Sequence, residues 1–354
     1  MKILMLTPYF PYPLVSGGQT RTYNLLKNLA QKHQITLFSF IRKDEEREFI
    51  PPLLKYCPRV EVFKRRRAWS IFNVLTAGVT PLPLLVSIYY SPKMKKIIRE
   101  ELEKNSYDLI HAECFYVMPN LPKTEIPILL VEQTIEFLVY QHFAKTFPLK
   151  VLRPFLYFDV TKIRFWEKHY WQKADLVEAM CQSDKEIMES LVPRLRVEIV
   201  PNGIDGDFFS EVKFQKSKKP TVLFVGNFKW LQNKEAAMIL VEKIWPQIRQ
   251  KVKDAQLLIV GRNPTVKIKN LASSQISVLE NLEDIREAYQ KATLLLAPIK
   301  GPGGTRFKIL EAMASGTPVV TTSVGIEGIG AKDGQEALIC DEPKKLAAAA
   351  VRLL

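Results

Sequence analysis

The chain has 354 residues, of which 47% are hydrophobic and 25% charged, and it carries a formal net charge of +14. Its length suggests two domains, because a single hydrophobic core usually stops growing at about 250–300 residues. Its composition is that of a globular protein and excludes a disordered, collagen-like or disulfide-stapled chain. The apolar run at residues 2–7 is too short for a signal peptide, so we expect a cytoplasmic protein.

The four cysteines are spread along the chain, at positions 57, 114, 181 and 340. No two of them form a CxxC pair, and no cluster of cysteine and histidine has metal-ligand spacing. We therefore predict isolated, mostly buried thiols in a reducing compartment, and no metal site.

The positive charge is concentrated in residues 51–100, which hold ten basic and two acidic side chains. Within this block, residues 64–67 are all basic, residues 68–92 carry no charge, and three lysines follow within residues 93–96. A membrane-spanning helix needs about 20 mostly apolar residues, whereas a glycine and several prolines interrupt the uncharged stretch. The stretch is therefore not expected to cross a membrane.

Three interpretations of this stretch remain open. Trp69, Phe72, Leu75 and Val79 recur every three or four residues, as in an amphipathic helix. With basic residues on both sides, residues 64–96 would then lie in an anionic membrane interface, which is the interpretation that we favour. The same apolar residues would alternatively pack on the protein's own core. Nucleic acid is not expected as a partner, because no helix-turn-helix, zinc or RNP pattern accompanies the charge.

The first half begins with a strand–helix–strand pattern. Residues 2–7 and 34–40 are short apolar strands, and residues 22–30 place leucines at helical spacing, with Thr20 as a candidate N-cap. A βαβ unit of this kind requires a parallel sheet. An aromatic-rich helix is expected between residues 150 and 173. Further strands are expected at 60–63, 108–112, 126–132, 175–180 and 196–200.

Two groups of residues in the first half carry candidate chemistry. Gly17 and Gly18 stand before the first helix, where glycine lets a backbone approach a ligand and a helix N-terminus offers free N–H groups to an anion. They do not form a GxGxxG dinucleotide fingerprint, and a plain tight turn is the alternative. His111 and Glu113 fall at the carboxyl end of a strand, where open α/β sheets place ligand sites. The alternatives are a hydrogen-bonded core histidine and a solvated loop acid.

The second half repeats the alternation of strands and helices, which predicts a second parallel sheet covered on both faces. Residues 233–245 form a predicted helix that Pro246 ends or kinks. We place the boundary between the two domains after residue 205. The predicted strands are 221–226, 256–261, 276–279 and 293–297. An exposed linker before Pro220 is indicated by Lys213, Lys216, Lys218 and Lys219.

The most informative segment follows the last of these strands. Three glycines, Gly301, Gly303 and Gly304, precede a helix that is expected to begin near Thr305. Free N–H groups and the positive end of the helix dipole make such a junction a cradle for phosphate.

Charged side chains coincide with this junction. Arg306 and Lys308 place cations in the first turn, which the helix dipole disfavours unless an anion docks there. Glu311 lies further along the helix and is a candidate acceptor of hydrogen bonds from sugar hydroxyls. A glycine loop with a solvated basic turn is the less favoured interpretation.

Five motifs stand out along the chain. The most specific is Glu-Ala-Met-Ala-x-Gly-x-Pro-Val-Val at residues 311–320, together with Pro-Asn-Gly-Ile-Asp at residues 201–205. The others are Pro-Leu-Val-Ser-Gly-Gly at 13–18, Tyr-Asp-Leu-Ile-His at 107–111 and Val-Gly-Asn-Phe at 225–228. With these motifs, essentially the whole chain resembles the GT-B retaining glycosyltransferases of family 4, also called glycosyl transferases group 1.

The resemblance implies an α/β protein of two Rossmann-like domains whose parallel sheets face each other across a cleft. The N-terminal domain, residues 1–205, would bind the acceptor, and the C-terminal domain, residues 206–354, would bind the nucleotide-sugar donor. The implied reaction transfers a sugar from a nucleoside diphosphate sugar to a hydroxyl group with retention. Members of the family usually continue with a further helix, so we expect the chain to stop before its last helix.

The resemblance assigns roles to several glycines and to one acid. Gly17 and Gly18 match the glycine loop that approaches the donor diphosphate and the transferred sugar. Glu311 matches the acid that contacts the ribose of the nucleotide. Gly303 stands where many members of the family have another acidic residue, eight positions before Glu311. In this respect the chain is similar to a subgroup of the family that lacks this acid. Further candidates for donor binding are Gly226, Gly304 and Thr305.

The cations and the acceptor-side groups depart from the common pattern. Asn227 stands where an arginine is common, and Lys234 (or Lys229) is the nearest lysine for the diphosphate. The cations of the segment 301–316 would take over part of this role. The frequent histidine of the first domain is replaced by Glu113, so that Glu113, His111, Arg306 and Lys308 are the catalytic candidates.

Stabilisation of the leaving diphosphate is the chemical problem that these groups would solve. Negative charge grows on the diphosphate while the sugar becomes oxocarbenium-like, and preorganised N–H groups and cations stabilise that charge. The string Asp205-Gly-Asp207 is interpreted as a turn, so that no divalent cation or other cofactor is expected. The basic stretch favours a lipid-linked acceptor of cell-surface polysaccharide synthesis, at the inner face of the cell membrane. A nucleotide-sugar epimerase of the same architecture and a catalytically silent sugar-nucleotide-binding module are the alternatives.

Overall fold

The computed structural model describes residues 1–68, 70–211, 217–301 and 303–354. Trp69 of the predicted amphipathic helix and Lys213 and Lys216 of the predicted linker lie outside the described residues. The chain divides into two compact units, Met1–Pro201 and Asn202–Leu354. The boundary predicted from the sequence lies four residues after this division.

The first unit is built on a parallel sheet of seven strands, in the order β3-β2-β1-β4-β5-β6-β7. The strands are β1 (Lys2–Thr7), β2 (Gln34–Ile41), β3 (Arg59–Lys64), β4 (Leu109–Glu113), β5 (Ile128–Glu132), β6 (Leu176–Ala179) and β7 (Val197–Ile199). The helices are α1 (Gly17–Leu29), α2 (Pro51–Leu54), α3 (Ile71–Val79), α4 (Leu84–Tyr89), α5 (Pro92–Lys104), α6 (Glu136–Thr146), α7 (Arg153–Trp171) and α8 (Gln182–Leu191). Short 3-10 helices lie at Asp44–Phe49, Phe115–Asn120 and Lys150–Leu152.

Alternate residues of the central strand β1 enter two different cores. Ile3 and Met5 pack in a cluster with Leu26 of α1, whereas Leu4 and Leu6 belong to a larger cluster with residues of the other strands. Because helices cover both faces of the sheet, the strand is apolar throughout and does not alternate with polar residues. This is why its sequence predicted a buried strand.

The second unit is a parallel sheet of six strands, in the order β10-β9-β8-β11-β12-β13, around one large hydrophobic cluster. The strands are β8 (Thr221–Asn227), β9 (Gln256–Arg262), β10 (Ile276–Glu280), β11 (Leu294–Ala297), β12 (Val319–Thr321) and β13 (Leu338–Ile339). The helices are α9 (Gly206–Ser210), α10 (Leu231–Ile239), α11 (Trp245–Lys251), α12 (Val266–Lys269), α13 (Ile285–Lys291), α14 (Phe307–Ala314), α15 (Ser323–Ile326) and α16 (Pro343–Leu353). The predicted fold class, two α/β domains with parallel sheets, is confirmed.

The first helix begins earlier than the sequence suggests. Ser16, and not Thr20, is the N-cap residue of α1, and its hydroxyl accepts a hydrogen bond from the backbone N–H of Gln19 at 3.4 Å. Gly17 and Gly18 therefore form the first turn of the helix and are not a loop before it. The prediction was wrong because glycine is a poor helix former, while the cap and the packing of α1 decide its start.

Two further helix ends differ from the prediction. Helix α14 begins at Phe307, two residues after Thr305. Pro246 does not end the helical segment but lies in the first turn of α11, directly after a change in helix type. A π-helical turn at Leu240–Ile244 joins α10 to α11, so residues 231–251 are helical throughout.

The uncharged stretch between the two basic clusters forms two short helices with opposite environments. Helix α4 packs into the core of the first unit through Leu85, Val86 and Ile88. Helix α3 instead exposes most of its apolar side chains. Among the described residues, no helix is long and apolar enough to cross a membrane.

Close packing of β8 against β9 requires a glycine at position 261. A Cβ atom added there would lie 1.8 Å from the carbonyl oxygen of Gly226. The two glycines are direct partners in the ladder, so neither backbone can withdraw without loss of the pairing. The carboxyl ends of both strands are therefore held close together.

We expect Gly261→Ala to lower the free energy of unfolding by about 3 kcal/mol, at the upper end of the usual cost of overpacking. Urea unfolding followed by circular dichroism measures the loss. Gly203→Ala is the matched control, because an added Cβ there meets no atom within 4 Å. Equal unfolding midpoints for the two variants would contradict the close approach.

Candidate functional site

At the carboxyl edge of the first sheet, Gly18 makes room for two polar side chains of the protein itself. A Cβ atom at Gly18 would lie 2.4 Å from Tyr9 Oη and 2.5 Å from Gln133 Oε1. The helix start formed by Gly17 and Gly18 is thus fixed by close packing within this unit. Its backbone position follows from that packing as well as from the Ser16 cap.

His111 and Glu113 do lie together, and both are buried at the end of β4. His111 Nε2 is 3.1 Å from Glu113 Oε1, and Gln133 Nε2 donates to Glu113 Oε2 at 2.6 Å. Both carboxylate oxygens therefore have partners. Glu113 is fully buried, so the interpretation of a solvated loop acid is wrong. His111 is buried too and hydrogen-bonded to Glu113, and its role in a site stays a prediction.

A second buried ion pair lies beside the first. The Arg21 guanidinium pairs with the Glu178 carboxylate and also donates to the carbonyl oxygens of Val200 and Pro201, each at 3.1 Å. Burial raises the pKa of Glu178 despite the Arg21 charge. The Arg21 charge also acts on Glu113, so the two buried carboxylates share one guanidinium as an electrostatic neighbour.

Burial alone would raise the pKa of Glu113, but its neighbours reverse that effect. The hydrogen bond and charge of His111, the hydrogen bond from Gln133 and the charge of Arg21 together lower the pKa of Glu113 below its ordinary value. The carboxylate is therefore ionised at neutral pH, and it holds His111 in one orientation.

In the second unit, Arg306 fixes the glycine loop before α14. Its guanidinium donates to the carbonyl oxygens of Gly304 at 3.0 Å and Gly301 at 2.8 Å. Gly303 has a φ of +145°, and an added Cβ would lie 2.8 Å from Arg306 Nη1. Position 303 therefore needs glycine for its backbone conformation and for the contact with Arg306.

Lys308 is the most unusual cation of the chain. Its ammonium donates to Asn233 Oδ1 at 2.6 Å and lies 4.7 Å from the ring centroid of Phe224. Burial, and next the positive charge of Arg306, lower the pKa of Lys308 to about 7, although the Glu311 carboxylate opposes the shift. A nearby anion would favour the charged form of this amine.

Glu311 lies one turn after Lys308 on α14 and faces Tyr289. Tyr289 Oη donates to Glu311 Oε2 at 2.6 Å. Burial raises the pKa of Glu311, while this hydrogen bond and the charge of Lys308 act in the opposite direction. One carboxylate oxygen is thus held by the protein in a fixed position.

Asn233 connects α14 to the loop after β8. Its Nδ2 donates to the carbonyl oxygen of Asn227 at 2.9 Å, while its Oδ1 accepts from Lys308. A Cβ atom at Gly226 would lie 3.1 Å from the Asn233 side chain, so the glycine lets Asn233 approach the strand. Lys234, the next residue, is half-buried in the first turn of α10, and in the described part of the chain no acidic group pairs with its amine.

The arrangement brings several predicted residues of the second unit together at one sheet edge. The Arg306 guanidinium holds the glycine loop through the carbonyl oxygens of Gly304 and Gly301, and Lys308 on the same helix contacts Asn233. Thr305 Oγ1 is buried there, and it has no hydrogen-bond partner among the residues that the structure describes. An excess of donors with positive charge fits a bound anion such as a phosphate group.

Acidic residues do not form a metal centre within the described ranges, where no group of three histidine, cysteine or acidic side chains could hold an ion. The carboxylate of Asp205 accepts a hydrogen bond from the backbone N–H of Phe208 at 3.0 Å and caps α9. The first aspartate of the Asp-x-Asp string, Asp205, therefore serves as a helix cap.

Comparisons with known proteins identify the family. A family model described as Glycosyltransferase Family 4 matches residues 15–208, and one described as Glycosyl transferases group 1 matches residues 219–354. The chain belongs to glycosyltransferase family 4. The family predicted from the motifs is confirmed, and with it the enzyme class of glycosyltransferases.

Two relatives cover most of the glycosyltransferase. It is 23% identical to the 44.6 kDa protein of the cps region of Klebsiella pneumoniae, over 96% of this chain and 88% of that protein. It is 26% identical to the phosphatidyl-myo-inositol mannosyltransferase of Mycobacterium leprae, over 74% of this chain and 68% of that protein.

Solved structures confirm the GT-B fold. The sucrose-phosphate synthase of Thermosynechococcus elongatus matches with a TM-score of 0.74 and 17% identity, covering all of this chain and 90% of that one. Anabaena HepE in complex with UDP and glucose matches with a TM-score of 0.65 and 17% identity, covering 99% and 89%.

Four residues of these networks were not found by sequence analysis. Arg21 and Gln133 support the His111–Glu113 pair, and Asn233 and Tyr289 position Lys308 and Glu311. Only Asn233 had a local signal, because it precedes the predicted Lys234. The other three are brought to the site by the packing of distant segments.

We expect His111→Leu to destabilise the first unit by about 3–5 kcal/mol at neutral pH, the usual cost of leaving one member of a buried pair charged. In the parent protein the pKa of Glu113 is lower in the folded than in the unfolded state, so its ionisation stabilises the fold at a pH above the ordinary pKa of a glutamate. This stabilisation is lost as the pH falls through the pKa of the folded state. Without His111, burial raises the pKa of Glu113, so the variant loses stability as the pH rises.

Thermal unfolding across the acidic to neutral range measures both slopes. The double variant His111→Leu/Glu113→Leu is the control, because it leaves no unpaired charge and should be more stable at neutral pH than the single variant. Identical losses in both variants, with the same dependence on pH, would show that the pair carries no electrostatic role.

Proposed function

We propose that this family 4 glycosyltransferase transfers a sugar from a nucleoside diphosphate sugar to a hydroxyl group, with retention at the anomeric carbon. The observation that carries the proposal is the half-buried Lys308, whose ammonium has a neutral partner in Asn233 and a pKa lowered to about 7. Such a group gains most from an anionic ligand. A diphosphate supplies the charge that the site lacks.

The donor diphosphate would meet three kinds of groups in the second unit. Lys308 and Lys234 supply cations, and the buried hydroxyl of Thr305 supplies a donor that has no partner among the described residues. Arg306 donates hydrogen bonds to carbonyl oxygens of the glycine loop, so that the partial negative charge of these oxygens does not repel the ligand. As the glycosidic bond breaks, these groups stabilise the charge that develops on the leaving phosphate.

Glu311 would contact the ribose hydroxyls of the nucleotide. Tyr289 holds one of its carboxylate oxygens at 2.6 Å, which leaves the other to accept from a sugar hydroxyl. The missing side chain of Gly226 leaves room for Asn233 at the sheet edge, and Asn233 in turn positions the Lys308 ammonium through its hydrogen bond. No metal or other cofactor is part of the proposal, because protein cations take the role of the divalent ion.

The first unit would bind the acceptor, with His111 oriented by Glu113. Since both oxygens of Glu113 are occupied within the protein, Glu113 serves as a positioning residue and His111 is the group nearer to the reaction. Gly17 and Gly18 provide the N–H groups of the first turn of α1. Retention is what the family resemblance implies for the product.

A lipid-linked acceptor of cell-envelope glycan synthesis is the substrate class that we favour. The relatives point the same way, since one is named for a cps region and another for a phosphatidyl-myo-inositol mannosyltransferase. The enzyme would then work in the cytoplasm as a peripheral protein at the inner face of the cell membrane, with residues 64–96 toward the anionic lipid.

The test is incubation of the protein with radiolabelled UDP-, GDP- and ADP-sugars in the presence of membrane extract. We expect one donor to label an extractable glycolipid, and NMR of the product to give the same anomeric configuration as the donor. Conversion of a donor without any acceptor would indicate an epimerase. Binding of nucleotide without transfer for every donor would indicate a silent module and overturn the proposal.

With the active donor, Lys308→Gln should lower turnover by about 100- to 1000-fold, the usual effect of removing one preorganised donor from a developing oxyanion. Lys267→Gln, an exposed lysine on α12, is the control with the same change of charge and should keep full activity. Equal activity of the two variants would exclude Lys308 from the reaction.

Binding of the nucleoside diphosphate should depend on pH through the same amine. Below its pKa of about 7 the amine is protonated and attracts the diphosphate, so affinity should fall about tenfold between about pH 6 and about pH 8. Isothermal calorimetry with the nucleotide of the active donor measures the change. Lys308→Arg stays charged over this range, and a pH dependence unchanged in this variant would contradict the assignment.

A further inference from the structure

Helix α3 presents an apolar surface to solvent that nothing in the described chain covers. Ile71 and Val79 are 80% and 83% exposed, and Phe72, Val74 and Leu75 between them are also exposed. The helix has nine residues, so it is far too short to cross a bilayer.

A second exposed apolar segment adjoins α3 along the start of α7. The last turn of α3 is tied to α7 because the Lys162 ammonium donates to the carbonyl oxygens of Ala77 and Thr80. The same ammonium lies 4.6 Å from the ring centroid of Phe158. Phe158 is therefore a neighbour of the end of α3.

The apolar side chains of this second segment share the face of α7 that meets α3. Phe155 and Phe158 stand four residues before Asp159 and Lys162, so each lies one turn from a residue bonded to the segment 77–84. Phe155 is 73% exposed. The other exposed apolar residues here are Leu149, Val151, Leu152 and Phe165. We call α3 together with these residues of 149–165 the apolar face.

A cavity of about 320 Å³ opens at the N-terminal end of α3, lined by Arg66, Arg67, Ser70 and Phe72. The Arg66 guanidinium lies 4.3 Å from the ring centroid of Phe72, so charge and apolar surface meet in this cavity. Among the described residues, no carboxylate forms an ion pair with either arginine.

The turn that carries these arginines is held in place by buried contacts. The side chain of Asn73, which is fully buried, donates to the carbonyl oxygen of Arg67 at 2.8 Å. The backbone N–H of Arg66 donates to the carbonyl oxygen of Ile88 at 3.2 Å, which ties the turn to α4. The backbone that carries the two arginines is therefore fixed.

The charge of the surrounding sequence has one sign. Between Glu61 and Glu100 the chain has eight basic and no acidic residues, and between Glu136 and Asp159 it has three basic and no acidic residues. A second copy of this face would meet it with like charge, which disfavours self-association. An anionic surface with an apolar interior is complementary both to the positive charge and to the exposed apolar side chains.

We propose that the cavity of Arg66 and Arg67 binds the phosphate of an anionic membrane lipid while the apolar face enters the lipid interface. Two arginines recognise a phosphate with fixed donor geometry, and the aromatic and aliphatic side chains around them replace water by acyl chains. The site rests on the membrane interface proposed above for residues 64–96 and adds to it the start of α7, which sequence analysis predicted only as an aromatic-rich helix. It is distinct from the groups proposed for sugar transfer.

Co-sedimentation with vesicles of phosphatidylcholine, with or without phosphatidylglycerol, tests the proposal without any donor or acceptor, so that it can fail independently of the proposed reaction. We expect binding only to the vesicles that contain phosphatidylglycerol. Arg66→Gln/Arg67→Gln should weaken this binding at least about tenfold, because each cation near an anionic surface contributes to partitioning. Phe155→Ser/Phe158→Ser should weaken it to a similar extent.

Val266→Ser/Lys267→Gln changes one exposed apolar and one basic residue on the second unit and should bind like the parent protein. Circular dichroism checks that every variant is folded. Equal binding to both kinds of vesicle, or parent-like binding by the Phe155/Phe158 variant, would overturn the proposed site. So would complete competition by millimolar inorganic phosphate, because the site would then bind free phosphate and not a lipid.

Discussion

The hydrogen bond between Lys308 and Asn233 joins the two halves of the candidate donor site. Lys308 comes from α14 and Asn233 from the first turn of α10, and without this contact the Lys308 ammonium would have no polar partner on that side. An amide oxygen satisfies the geometry of an ammonium group but supplies no negative charge. The hydrogen bond of Lys308 is therefore satisfied, but its positive charge has no anionic hydrogen-bond partner. This is the state expected before an anion binds.

The buried network of the first unit is the opposite case. The buried Arg21 guanidinium there faces the Glu178 carboxylate, and both oxygens of the Glu113 carboxylate have hydrogen-bond partners in His111 and Gln133. Such a network has no need of an ionic ligand, and it holds His111 in a fixed orientation. The two units therefore differ electrostatically, which agrees with the proposal that the anionic donor binds to the second unit.

The parallel sheets could be predicted from the sequence because buried strands are continuous apolar runs and need no partner to be recognised. The start of α1 could not, since Gly17 and Gly18 have a low helix propensity and the Ser16 cap overrides it. The contact of Lys308 with Asn233 joins residues 75 positions apart, so only the fold reveals it.

The candidate sites also could be predicted only where their residues are adjacent in sequence. The segment 301–316 was recognised because glycines, cations and an acid are adjacent in sequence. The fixing of Arg306 on its own loop was not, because its partners are backbone carbonyl groups, which no sequence pattern displays. The exposure of the aromatic residues at the start of α7 could not be predicted either, since Phe155 and Phe158 are apolar in any context and only packing decides whether they are covered.

Helix α4 links the apolar face to the carboxyl edge of the first sheet. Its residue Tyr89 lies between Phe40 near the end of β2 and Tyr116 just after β4, with ring centroids 5.6 Å and 4.7 Å away. At its other end, the backbone N–H of Leu84 donates to Asp159 of α7. The same short helix therefore contacts both α7, which carries part of the apolar face, and residues next to the sheet edge that holds His111. An acceptor anchored in the bilayer by its lipid would then approach that edge without leaving the membrane, and docking would fix its orientation before any sugar is transferred.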